Sequence, residues 1–357
     1  MRTFNCTNCG KDVYFENSVC LSCGAELGFD PAELKITALK PNPKAGGVLS
    51  VFRRSAAKAA PKPMRRCANA AHAACNWLLK ANDPGELCSA CILNRTIPDL
   101  SDPQHLAAWR AVENAKKRLV YSLLRLGLPI SGVGDIPPMT FDVMQDAQTG
   151  HLDGVITIDV AEADSVERER RREQLDEPYR SLLGHLRHES AHYYWPIVVE
   201  KTGLVKEFRS LFGDERRDYG GALSQYHANG PAPDWQASFV SAYATAHPWE
   251  DWAETWAHYL HILDTVDTAE SVGIEPRSKG MSEGSTWPYG RTDVYRGVTV
   301  GALMERWAPL ASALNDLTRS MGHPDFYPFV TAAPTLPKFA FVNRAIRQFV
   351  ESPMPVA

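Results

Sequence analysis

The sequence predicts an α+β protein in which a mainly helical domain is preceded by two small zinc-ribbon or zinc-knuckle modules. Three observations lead there. All eight cysteines of the 357-residue chain lie before residue 92. From residue 101 onward, apolar residues recur with helical period. Between the helical stretches, "TFDVMQ" and "GVITIDV" read as short strands.

Taken in order, residues 1–30 hold "CTNCG" and "CLSCG", that is Cys6, Cys9, Cys20 and Cys23. Each C-x-x-C turn sets two sulfurs on one side of a tight loop, and the glycine that follows lets the backbone turn under a metal. Two such knuckles make a four-thiolate structural zinc site. Residues 31–65 are rich in Pro, Gly, Ala and basic side chains and read as a linker. Residues 66–100 carry Cys67, Cys75, Cys88 and Cys91, a second four-cysteine zinc module, with His72 as an alternative donor. Neither module buries enough apolar surface unaided, so each metal contributes to folding.

The helical domain is assigned to residues 101–330. Ser101 is placed as the N-cap of a first helix, which Gly127 and Pro129 end. A charged helical lead-in from Glu162 breaks near Pro178, and a largely apolar helix then runs through Trp195. Two helices are expected between Trp235 and Thr265, interrupted near His247-Pro248, and another amphipathic helix ends at Gly322. Residues 331–357 are left as a C-terminal segment.

Composition bounds the function. Hydrophobic residues make up 44% and charged residues 22%, as in ordinary globular proteins. No apolar run reaches the roughly 18 residues of a membrane span, and the start lacks the apolar stretch of a secretory signal. The expectation is a cytoplasmic protein without a membrane partner. In such a compartment confined cysteines point to metal rather than disulfides. The net charge of −4 is uneven. Leu34 to Asn82 holds ten Lys or Arg and no Asp or Glu, so the basic 34–82 segment and the cysteine modules are candidates for gripping nucleic acid or a protein partner. Arg53, Arg54, Arg65 and Arg66 would carry that binding.

The chemistry-bearing stretch is "GHLRHESAHYYW". His188 and His192, four apart on a helix, share a face and can each give one nitrogen to a single zinc. Glu189, rotated by about 100°, need not ligate and can take a proton from a metal-held water. A catalytic zinc needs a third protein ligand and an open position. "HPWEDWAETWAHYLH" supplies candidates. Glu250, near its helix start, is the preferred ligand. Glu254, one turn later, would accept a hydrogen bond from the non-ligating nitrogen of a zinc-bound histidine. The order of these two can be reversed, and His258 and His261, which continue the same face, are read as satisfied histidines between packed helices, with ligation by either as the alternative. Tyr243 is placed to aim a phenol at an oxygen that gains charge.

The zinc-ribbon pair, "LNRTIPDLS", "EPYRSLLGHLRHESAHYYW", "FGDERRDYG" and "VSAYATAHPWEDWAETWAHYLH" together resemble the bacterial family of zinc-binding metallopeptidases with N-terminal zinc ribbons. The spacing Y-x6-E-x-x-x-E after H-E-x-x-H is similar to lethal-factor-type zinc proteases. The resemblance implies a zincin-like domain, with Tyr243 assisting catalysis, Glu250 on the metal and Glu254 hydrogen-bonded behind it. It also implies a substrate-binding edge strand beside the H-E-x-x-H helix, for which "GVITIDV" is the candidate.

The function expected is zinc-dependent hydrolysis of a peptide or protein substrate, with one catalytic and two structural Zn²⁺ ions. The rival is a binding protein whose helical domain is a metal-bearing scaffold. His185 is read as a packing histidine, "FGDERRDYGG" as a solvated or cleft-lining loop, and Trp195, Trp249, Trp252 and Trp256 as helix-packing aromatics.

Overall fold

The computed structural model describes residues 2–41, 49–52, 62–174, 177–274 and 293–352. The chain forms two compact units. The first comprises Met1–Tyr121, Thr140–Thr149 and Thr157–Asp164, and the second the remainder.

In the first unit, β1 (Phe4–Asn5) and β2 (Asp12–Val13) pair antiparallel on either side of the first knuckle. Gly10 and Gly24 follow the two C-x-x-C pairs with φ of 80° and 71°, and their N–H groups donate to the carbonyls of Cys6 and Cys20 at 2.8 Å. Side chains with a Cβ resist that conformation. A five-stranded antiparallel sheet follows: β3 (Glu26–Asp30), β4 (Lys35–Pro41), β5 (Leu49–Phe52), β6 (Pro63–Arg66) and β7 (Leu78–Lys80).

This sheet corrects the linker assigned to residues 31–65. Residues 35–41 and 49–52 and the start of β6 are strands within it, and residues 42–48 and 53–61 lie outside the described residues. Ile36 and Ala38 are buried on one face, and Leu39 and Met64 on the other, where they cluster with Leu78. These are single apolar residues scattered among Pro and Lys, so composition hid the alternation. Nor are the two cysteine groups separate modules. Phe15, Phe29, Trp77 and Tyr121 form one aromatic core, with centroids 5.0 Å apart for Phe15–Phe29 and 4.6 Å for Phe29–Trp77. At Gly28 a Cβ would lie 2.6 Å from Leu78, so glycine is what lets β3 and β7 approach.

Strand β8 (Asn94–Thr96) precedes helix α1 (Pro103–Leu126), and β9 (Thr140–Met144) runs parallel to β8. The cap of α1 is Asp102 in place of Ser101. Its carboxylate accepts from the Gln104 N–H at 2.7 Å and its carbonyl from Leu106.

β10 (Gly150–Leu152), in the second unit, turns back through Gly154 into β11 (Val155–Asp159), most of which belongs to the first. The sheet order makes β10 an edge strand, whereas β11 has β10 on one side and β9 on the other. "GVITIDV" is therefore not the edge strand expected of it. Its Ile156 and Ile158 share a buried face, and the three-residue β10 was too short to stand out.

Helix α2 (Ser165–Gln174) is the charged lead-in, and α3 (Leu182–Trp195) carries the H-E-x-x-H motif. Ser181 caps α3 by accepting from the Gly184 N–H at 3.0 Å. A single π turn, Pro196–Glu200, continues it where Pro196 offers no N–H. Then come α4 (Val205–Phe212), α5 (Tyr219–Asn229), α6 (Pro248–Ser271), α7 (Val300–Ser320) and α8 (Leu336–Glu351).

Two expectations change here. The first of the helices expected between Trp235 and Thr265 reduces to short turns at Trp235–Ala237 and Tyr243–Thr245. The segment after residue 330 holds α8, whose Phe339, Phe341 and Val342 are buried in this unit. Helix α6 is the axis, buried along most of its 24 residues. Among the described residues no helix is long and apolar enough to cross a membrane.

Candidate active site

The site rests on the pairing of α3 with α6. The Trp252 indole donates to the Ala191 carbonyl at 2.9 Å, and the Trp256 indole to the Ser190 hydroxyl at 3.2 Å. Both tryptophans are fully buried. Ser190 and Ala191 lie between the two motif histidines, and Trp252 lies between Glu250 and Glu254. The contacts that lock the helices thus set the polar faces in register.

Helix α6 starts where it must for this purpose. His247 caps it, its Nδ1 accepting from the Trp249 N–H at 3.1 Å, and Pro248 occupies the first turn. Glu250 and Asp251 lie in that first turn, where the helix dipole favours carboxylates.

Donor atoms of His188, His192 and Glu250 lie within 4.8 Å of one another. His188 Nε2 is 3.0 Å from Glu250 Oε2, and His192 Nε2 is 3.7 Å from Glu250 Oε1. On the other side of the first ring, His188 Nδ1 donates to Glu254 at 2.7 Å. Glu254 is therefore behind His188, and Glu250 faces the two imidazoles.

Burial opposes ionisation of Glu250, but the imidazoles and the Tyr219 hydroxyl outweigh it and hold the carboxyl down to about 2. Among the described residues its ion-pair partners are the two imidazoles alone. A fully buried carboxylate facing two ring nitrogens, with no lysine or arginine between them, is a donor set that suits a divalent cation of the zinc type.

Glu189 stands beside this triad without joining it, and burial first, then the neighbouring carboxylates, push its acid up to about 7. The Tyr243 ring lies 5.9 Å from the His188 ring and 5.5 Å from Tyr226. Burial raises its phenol well above the usual range, so it stays an O–H donor.

His258 and His261 turn out to be satisfied histidines. His258 Nδ1 lies 2.6 Å from the Tyr327 hydroxyl and His261 Nδ1 accepts from Arg187 at 2.5 Å. His185 does not belong to the converging set either.

Two residues escaped the sequence reading. Tyr219, the first residue of α5, donates to Glu250 Oε1 at 2.7 Å. Its signal was "DYGG". A Cβ at Gly221 would come within 2.4 Å of Asp218, so the stretch marks a tight helix start inside what looked like a loop. His151, on β10, lies with its ring 6.4 Å from that of His192 and nearly parallel to it. It sits in a strand too short to be recognised.

The cysteines converge as two tetrads, Cys6, Cys9, Cys20, Cys23 and Cys67, Cys75, Cys88, Cys91. Sulfur separations include 3.8 Å for Cys6–Cys23 and 3.7 Å for both Cys9–Cys20 and Cys75–Cys88. A tetrahedron with Zn–S bonds of about 2.3 Å has edges of about 3.8 Å, so both tetrads fit structural zinc. His72 is exposed and outside the second one.

Of the arginines proposed to grip a partner, Arg53 and Arg54 lie outside the described residues. Arg65 donates to the carbonyls of Asp83 and Gly85, and Arg66 pairs with Glu26 at 2.8 Å. Both are engaged within the first unit.

A cysteine-rich ribbon region followed by an α+β domain built around this helix pair defines a zinc-binding protein of metallopeptidase type. Comparison agrees. The family model described as "Putative zinc-binding metallo-peptidase" matches residues 105–345, and one described as "zinc-ribbon domain" matches residues 3–102. The chain belongs to that zinc-binding metallopeptidase family. It is similar to "Uncharacterized protein Rv2568c" of Mycobacterium tuberculosis and "Uncharacterized protein Mb2598c" of Mycobacterium bovis. Each is 40% identical over 353 residues, which cover 97% of this chain and 95% of the relative. No solved structure matches.

Proposed function

We propose that the protein is a zinc-dependent peptidase, with His188, His192 and Glu250 holding the catalytic ion. The observation that carries this reading is the convergence of those three side chains beside a carboxyl, Glu189, that is not one of the three. Zinc held there supplies Lewis acidity and water with a pKa of about 7.

The chain's own residues do the rest. Glu189 accepts the proton that water loses as its oxygen joins the carbonyl carbon. The same carboxyl then gives a proton to the amine nitrogen as the C–N bond breaks. Tyr243 donates to the carbonyl oxygen as charge grows there. Glu254 holds the Nδ1–H of His188, leaving Nε2 as the donor toward the metal. β10 is the exposed edge beside α3 against which an extended peptide would lie.

The test combines metal counting with turnover. Three zinc ions per chain are expected, one of them lost in His188→Ala. Glu189→Gln is expected to keep all three and lose cleavage of a peptide library by at least 100-fold. Two ions in the wild type, or cleavage by Glu189→Gln at the wild-type rate, would refute the reading.

A further inference from the structure

Resting on that reading of the site, we infer that Tyr219 is a positioning residue that selects which oxygen of Glu250 faces the metal. The two oxygens of Glu250 are not equivalent. Oε1 accepts the Tyr219 hydroxyl at 2.7 Å, while Oε2 has no hydroxyl or amide donor among the described residues and lies 3.0 Å from His188 Nε2. A carboxylate that keeps both oxygens available can chelate through either or both. Engaging Oε1 leaves Glu250 a one-oxygen ligand and keeps a position clear for water, which a catalytic zinc requires.

The Tyr219 hydroxyl is held where it can do this. Its ring packs edge-on against His247 at 5.1 Å and lies 5.8 Å from Trp249, the two residues that flank the start of α6. His247 Nε2 in turn donates to the Arg217 carbonyl at 3.2 Å. The segment before Tyr219 is braced as well. Arg209 donates to buried Glu215 at 2.9 Å and Arg216 to Asp214 at 2.7 Å. The stretch from Gly213 to Tyr219 is thereby tied to the same helix end that presents Glu250. The hydroxyl is committed to the ligand, so Tyr219 acts through Glu250, in contrast to Tyr243.

Tyr219→Phe keeps the ring and removes only the hydroxyl. Zinc affinity of the third site, read by competition with a chromophoric chelator, is expected to fall 10- to 100-fold. The visible spectrum of the cobalt(II)-substituted protein is expected to change in band intensity as Glu250 gains freedom to use both oxygens. Tyr243→Phe is expected to leave both readouts unchanged.

A Tyr219→Phe dissociation constant within twofold of wild type with an unaltered cobalt spectrum would overturn the inference. So would loss of the two cysteine-bound zinc ions in the same variant, which would assign Tyr219 to folding. A wild type with only two zinc ions sinks the active-site reading itself. Three ions with a wild-type-like Tyr219→Phe sinks only the role of Tyr219.

Discussion

Glu254 accepts the Nδ1–H of His188 at 2.7 Å, four residues along the same helix from the carboxylate that faces Nε2 of that ring. One imidazole is thus held between two acids on one helix face. The arrangement fixes ring orientation and tautomer, which is what a carboxylate behind a metal-binding histidine does. Glu254→Ala is expected to weaken the third zinc 10- to 100-fold while leaving the eight cysteines loaded. Zinc titration against a chelator reads it, and an unchanged third-site affinity would count against the assignment of Glu254.

The Trp252 indole makes a different kind of contribution. It bonds the Ala191 carbonyl and packs against Phe212, Trp256 and Phe341, with centroids 5.5–6.1 Å away. Trp252→Phe deletes the N–H and part of the packed volume, so a loss of about 2–4 kcal/mol is expected. Thermal unfolding should fall by several degrees, and zinc affinity at the third site should weaken with it because α3 and α6 lose register. A stable variant with intact affinity would show that the remaining contacts hold the helices alone.

Stability should depend on pH through His258. Burial holds this imidazole down to about 4, against an ordinary value near 6.5. Between those values the unfolded chain binds the proton and the folded one does not, so stability is present above the ordinary value and is lost as pH falls toward 4. The contribution is about 3 kcal/mol for a fully buried ring. His258→Gln should flatten the difference between urea midpoints at pH 7 and pH 4.5. An unaltered difference would place the acid sensitivity elsewhere.

The two tetrads differ in exposure, and metal removal should follow it. Cys23 is exposed and Cys9 half-buried, whereas Cys67, Cys75, Cys88 and Cys91 are all buried. A chelator should release one zinc early and another only on unfolding. Cys23→Ser should abolish the early phase and spare the late one. Release of both at a single rate would contradict the difference in accessibility.

Much of the site was legible in the chain because its parts are local. Two C-x-x-C knuckles, a histidine pair four apart and a glutamate pair four apart each sit within one turn or one helix, where spacing alone dictates a shared face. The fold was legible where periodicity was long, as in α1, α3 and α6. It was not legible in β10 or α5, whose few residues carry no period, nor in β4 and β5. There a sheet forms from a Lys- and Pro-rich stretch because Leu39, Leu49 and Val51 pack with Met64 and Leu78.

By itself the sequence determined the donor types, their pairing within elements and the family resemblance. Only the tertiary structure turned Glu250 toward the two imidazoles and Glu254 behind His188, left His72, His258 and His261 outside the converging donors, and brought in Tyr219 from a segment 31 residues away. The reason is physical. Helical spacing says which side chains share a face, but which of two carboxylates on that face meets a neighbouring helix depends on the depth and rotation of packing. Here that is set by two buried tryptophans.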